Sequence, residues 1–176
     1  MLLPYKEGIV RLTSPYGMRG SEYHYGVDLV GTDKEIITVY GGKVVRSQVD
    51  PSWGNYIAVE SGDGFTRYYC HLSERLVQAG DSVIAGQTIG TEGSTGDSTG
   101  SHLHYEIRKG TVKFNSADDL KIPNVCEYHM ADNTTHYIES IGEMCGYSPE
   151  TVNMMKEFYH PYRYDFWRKL FSAVKK

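Results

Sequence analysis

Over the first 120 residues, apolar positions come in short runs, each closed by a glycine- or aspartate-containing turn. The runs are IITVY (36–40), KVVRSQV (43–49), NYIAVES (55–61), FTRYYCHL (65–72), SVIAG (82–86) and HLHYEIR (102–108). They are rich in β-branched and aromatic residues and have strand length. The turns between them include Gly41-Gly42, Ser52-Trp53-Gly54, Gly62-Asp63-Gly64 and Ala79-Gly80-Asp81. Strands so closely spaced, with no helical period between them, predict a mainly β fold: an antiparallel sheet or sandwich.

Beyond residue 120 the period changes. Asp132 can cap a helix with Tyr137, Ile138, Ile141, Met144 and Cys145 on one stripe, stopped by Gly146. Ser148-Pro149-Glu150 opens a second helix, carrying Val152, Met155, Phe158 and Tyr159 as far as Pro161. A third carries Phe166, Trp167, Leu170, Phe171 and Val174. The expected division is a β domain over 1–119 and a connector with a small C-terminal helical appendage over 120–176, the connector itself lying near 111–131. The helices are expected to pack on themselves or on the β domain, with oligomerisation as another reading.

The net charge of −4 gives no sign of a nucleic-acid or membrane-surface partner. No apolar run approaches the roughly 20 residues needed to span a bilayer. The opening MLLPYKEGIV lacks the charged and apolar regions of a secretory signal, so the expectation is synthesis in the cytoplasm without a signal peptide. Three widely spaced cysteines, Cys70, Cys126 and Cys145, suggest neither a disulfide framework nor a cysteine-rich zinc knot.

The chemistry-bearing residues fall in three stretches. In a strand HLHYEIR, His102, His104, Glu106 and Arg108 share one face, while Leu103, Tyr105 and Ile107 share the other. Two histidines on a solvent face are, by themselves, more common than a metal site. In EYHYGVDLV (22–30), His24 and Asp28 stand four apart and reach the same side. Imidazole and carboxylate are both good zinc ligands; these two with one histidine of the pair would make the three-ligand set of a catalytic zinc. In RYYCHLS (67–73), His71 ends an aromatic strand. His129, His136 and His160 have no partners at ligand spacing and are expected to be surface or packing residues of the tail.

In order, the chain carries SPYGMRG-SEYHYGVDL, YYCHLS, GD-x-V-x-x-GQ-x-IG and G-STG-x-STG-x-HLHYE. Together these resemble the lysostaphin/LytM-type zinc endopeptidases, which cut peptidoglycan peptides. The resemblance spans about residues 10–120 and implies an antiparallel β-sandwich of the duplicated-hybrid type with its site in a narrow groove. It implies one zinc per chain, held by His24, Asp28 and His104, with His71 and His102 as the catalytic histidines. All five positions are intact. Zinc there would polarise the scissile carbonyl and acidify water; His102 would act on that water and His71 on the oxyanion or leaving amine.

GDSVIAGQTIG (80–90) also has the turn grammar of lipoyl and biotinyl carriers, but the loop that follows, Glu92 to Ser101, has no lysine to modify. The tail resembles those of phage and prophage lysins. The expected function is therefore a peptidoglycan hydrolase acting at the bacterial cell wall as a phage-type lysin. The alternatives are a non-catalytic peptidoglycan-binding or adaptor domain and a tail-associated structural component of a phage. The bond cut and the oligomeric state are not legible in the sequence.

Overall fold

The computed structural model describes residues 2–130. The chain enters β1 (Ile9–Ser14), folds through the hairpin β2 (Gly17–Arg19) and β3 (Glu22–His24), and continues into β4 (Val27–Gly31). After β5 (Glu35–Ile37) comes the long hairpin β6 (Gly42–Asp50) and β7 (Gly54–Ser61), then β8 (Thr66–Leu72). The short strands β9 (Glu74–Arg75) and β10 (Ser82–Val83) lead to β11 (Thr88–Thr91). A last hairpin, β12 (Leu103–Lys109) and β13 (Val112–Phe114), precedes α1 (Ser116–Leu120) and β14 (Tyr128–Met130). The Asn115 side chain caps α1 by accepting from the Ala117 amide, and Lys121 ends it in a left-handed conformation.

The large sheet runs β10-β6-β7-β8-β12-β4-β1-β14, with β13 also on β12. A three-stranded sheet runs β5-β11-β9, and β2-β3 stand apart as a ribbon. Every pairing is antiparallel. The core lies between the two larger sheets: Leu29, Tyr69, Leu103 and Tyr105 from one meet Ile36 and Ile89 from the other. The predicted antiparallel β-sandwich is the observed architecture.

The alternation expected in β12 holds, with Leu103, Tyr105 and Ile107 buried in the sandwich. The opposite face is not open to solvent, however. Glu106 is only 2% exposed there. Tyr56, Ala58, Tyr68 and Cys70, with Trp53 packed against them, form a second apolar cluster, and the Arg108 guanidinium lies 4.8 Å over Trp53 and 4.7 Å over Tyr68. This sheet is covered on both sides over its centre, so period-2 alternation alone understates burial.

Several elements differ from expectation. The 36–40 and 82–86 runs are strands only at Glu35–Ile37 and Ser82–Val83, and β1, β2, β9, β11 and β13 lie outside the expected strands. Residues 111–131, expected as a connector, contain β13, α1 and β14. His129 therefore sits on a strand paired with β1, not in a helical tail, and is buried. The pairing supplies the reason: β14 covers the free edge of β1 and satisfies its backbone groups. Cys70 is a buried free thiol, as expected of a small core residue, and Cys126 is an exposed one. The three helices proposed beyond residue 131, and His136 and His160, lie outside the described residues.

Candidate metal centre

Strand register assembles the centre. His104 on β12 lies directly opposite Asp28 on β4 and Cys70 on β8, so the first two side chains leave one face of the sheet as neighbours. His24 ends β3, and the chain turns through Tyr25-Gly26 before β4 begins. That turn needs glycine: a Cβ on Gly26 would stand 2.6 Å from His104 Cε1 and from the Tyr105 carbonyl. The absent side chain makes room for the His104 ring.

The three donor atoms form a compact triangle. His24 Nε2 is 3.0 Å from His104 Nδ1, His104 Nδ1 is 2.9 Å from Asp28 Oδ1, and His24 Nε2 is 3.2 Å from the same oxygen. Ligands of a tetrahedral zinc at roughly 2.0–2.1 Å stand about 3.3 Å apart, so the trio fits such an ion with only slight opening. Among the described residues it is the one cluster of histidine, cysteine and carboxylate groups close enough to hold a metal. The remaining ring nitrogens are also engaged. His24 Nδ1 donates to the Pro15 carbonyl at 2.8 Å, and His104 Nε2 faces Glu106 Oε2 at 3.7 Å. Such outer contacts fix which nitrogen is free to ligate.

Burial alone would raise the Asp28 carboxyl, but its contacts with His104 and His24 outweigh this and hold it well below the usual carboxylate range. Burial likewise raises Glu106, and His104 and Arg108 overcome it, leaving the carboxyl below its ordinary value. The face is thus built to keep anions beside the imidazoles.

His71 and His102 flank the trio. Their ring centroids are 4.7 Å apart, and His71 stands 5.9 Å from His104 by the same measure. His102 Nε2 lies 3.8 Å from Asp28 Oδ1. Each donates Nδ1–H to a backbone carbonyl at 2.8 Å, His71 to Thr95 and His102 to Gly100. A neutral imidazole held in this way presents Nε2 as a lone pair. Burial pushes the His71 pKa below its ordinary value; the Thr95 carbonyl opposes this, and the neighbouring His102 and His104 add to it. The result favours the neutral form.

The structure brings all five sequence-selected residues together at one end of the sheet. It also adds residues that the motifs did not single out for a role. Arg19, on β2, donates to Asp28 Oδ2, and the same Nη2 lies 2.7 Å from His24 Nδ1 and 2.9 Å from His24 Nε2. Glu106 could have been found by alternation from His104. The carbonyls of Thr95 and Gly100 have no sequence signal, because every residue has one. The glycine- and serine-rich loop 93–101 is tied down: Asp97 N donates to Ser52 O at 2.8 Å and Asn55 N to Thr95 Oγ1 at 2.9 Å.

The model for peptidase family M23 matches residues 22–116. Glycyl-glycine endopeptidase ALE-1 of Staphylococcus capitis is 41% identical over 120 residues, covering 65% of this chain and 32% of that protein. The chain therefore spans about a third of that relative's length. Among solved structures, the catalytic domain of the antimicrobial peptidase lysostaphin from Staphylococcus simulans superposes with a TM-score of 0.56 at 34% identity, over 66% of this chain and 92% of that one. The catalytic domain of the prophage-encoded M23 protein EnpA from Enterococcus faecalis gives 0.56 at 35% identity, over 61% and 88%. With the motifs, fold and donor set in agreement, this chain belongs to peptidase family M23.

Proposed function

We propose that the chain is a zinc-dependent endopeptidase hydrolysing peptide bonds in the stem or cross-bridge peptides of bacterial peptidoglycan. The observation that carries this reading is the donor triangle of His24, Asp28 and His104 with two Nε2-presenting histidines beside it. Among the relatives, a glycyl-glycine endopeptidase and lysostaphin support the substrate class.

His24 Nε2, Asp28 Oδ1 and His104 Nδ1 would hold the ion, three protein ligands being the set of an open, catalytic site. Zinc in that position supplies Lewis acidity, polarising the scissile carbonyl and acidifying water. His102, next to the ligand strand, takes the proton of the attacking water at Nε2. His71 faces it with ring centroids 4.7 Å apart; on taking up the proton that His102 removed from the water, it donates that proton to the leaving amine or the developing oxyanion, which leaves both imidazoles neutral again. Glu106 and Asp28 stabilise positive charge on this face as protons move.

Action at the cell wall as a prophage-type lysin is the cellular reading, supported by the likeness to the prophage-encoded catalytic domain. The substrate partner is the wall peptide, and the region beyond residue 130 is a candidate wall-binding or oligomerisation element. The test is digestion of purified cell walls by the zinc-loaded chain, followed by mass analysis of the released muropeptides. New amine and carboxylate termini at a single peptide linkage are expected. Stoichiometric zinc and wall binding without any released fragment would replace the hydrolase reading with an adaptor one.

A further inference from the structure

Loop 93–101 holds both flanking histidines, through the Thr95 and Gly100 carbonyls. Its two ends are secured differently. At the Thr95 end, Thr95 Oγ1 accepts from Asn55 N at 2.9 Å and donates to the Leu72 carbonyl at 2.8 Å. At the Gly100 end the backbone is exposed. There His102 N donates to the Gly93 carbonyl at 2.9 Å, and within the loop Ser98 Oγ donates to the Gly100 carbonyl at 2.8 Å and stands 3.3 Å from His102 Nδ1; the bond that ties this end to a buried group outside the loop is Ser101 Oγ donating to Glu92 Oε1 at 2.6 Å.

Glu92 is a firm post for that anchor. Its side chain is 0% exposed. Oε2 accepts from Tyr5 Oη at 2.6 Å and from Gly31 N at 3.1 Å, while Oε1 accepts from Lys34 Nζ as well as from Ser101. Gly31 ends β4, the strand that carries Asp28. A buried carboxylate costs free energy unless several donors satisfy it, and here four do. One of the four is the hydroxyl of the residue immediately before His102.

We propose that Glu92 and Ser101 are a positioning pair: their hydrogen bond fixes the end of loop 93–101 so that the Gly100 carbonyl holds His102 with Nε2 toward the metal trio. The proposal rests on the reading that His102 acts on the attacking water. The metal ligands do not depend on this bond, so its loss disturbs His102 without emptying the site.

The test is the zinc-loaded full chain with 15N-labelled histidine, followed by long-range 1H–15N correlation, with His102 assigned from His102→Ala. The wild type is expected to show His102 with the proton on Nδ1. Ser101→Ala is expected to shift His102 toward a tautomer mixture, leave His71 and zinc stoichiometry unchanged, and lower kcat roughly tenfold with KM within about twofold. Ser101→Thr, which keeps the hydroxyl, is expected to restore both signal and kcat. Glu92→Gln, which weakens the acceptor, should fall between. Unchanged His102 signals in Ser101→Ala, or a Ser101→Thr variant as impaired as the alanine, would overturn the proposal. The tautomer signal needs no substrate, so an inactive wild type with a Ser101-dependent signal would sink the hydrolase reading and leave the pair standing.

Discussion

The imidazoles of His71 and His102 face each other with centroids 4.7 Å apart because the β7–β8 ladder slips at that point. Asn55 pairs with Leu72 and Ile57 with Tyr69, so Cys70 and His71 together oppose Tyr56. Tyr69 and Leu72 both reach the sandwich core. In a regular strand His71 would share the core face with Tyr69. The bulge, with His71 at φ 64°, turns its ring to the metal face instead. Histidine enters this left-handed region more readily than most residues, at a cost of order 1 kcal/mol.

The five site residues should separate by metal content. His104→Ala is expected to lose zinc and wall hydrolysis together. His102→Ala and His71→Ala should retain about one zinc per chain while hydrolysis falls roughly 10²–10⁴-fold. Metal analysis of dialysed protein beside a wall-clearing assay measures both. Retention of full activity by either flanking variant would remove it from the chemistry.

Gly26→Ala should act on the same centre without touching a ligand. The added methyl meets the His104 ring and the Tyr105 carbonyl at 2.6 Å, so ring or backbone must move. We expect destabilisation of about 1–3 kcal/mol by overpacking and weaker zinc retention. Thermal unfolding and competition with a chelator would show the two effects; an unchanged Tm and affinity would mean the turn relaxes freely.

Arg67 is a structural cation: 1% exposed, bonded to Asp63 and Asp119, with its guanidinium 3.7 Å over the Tyr40 ring. Removing one member of a buried pair typically costs about 3–5 kcal/mol. Arg67→Met should approach that loss in urea unfolding, and Arg67→Met with Asp119→Asn should recover part of it. Equal stability of the single and double variants would show that no uncompensated charge is left behind.

Glu92 predicts an acid dependence of stability. Burial alone would raise its carboxyl, but Lys34, Ser101 and Tyr5 outweigh burial and hold it below its ordinary value. A carboxyl lowered on folding binds fewer protons in the folded state than in the unfolded one, so stability rises with pH across its titration. The contribution is complete above the unfolded value near pH 4.3 and is lost as pH falls through the lower folded value. Tm measured from pH 7 to 3 should therefore fall less in Glu92→Gln than in wild type. Parallel curves would place the acid sensitivity elsewhere.

Much of the site was legible because its residues lie in register-determined elements. HLHYEIR announces which residues share a face, and two of the three predicted ligands, Asp28 and His104, turn out to be cross-strand neighbours. The four-residue spacing of His24 and Asp28 was expected to work within one regular segment. It works instead through a turn at Tyr25-Gly26. Glu92 carried no local signal, because its partners Tyr5, Gly31, Lys34 and Ser101 are spread through the chain.

By itself the sequence determined the β class, the core face of β12 and the chemical types offered to a metal, since these follow from local periodicity and side-chain identity. The tertiary structure alone decided that His71 leaves the core face and that the loop carbonyls choose the nitrogen each flanking histidine presents. It also decided that β14 closes the sheet edge at β1. Those outcomes depend on a one-residue slip between strands and on backbone groups that every residue possesses, so they exist only once distant segments are packed together.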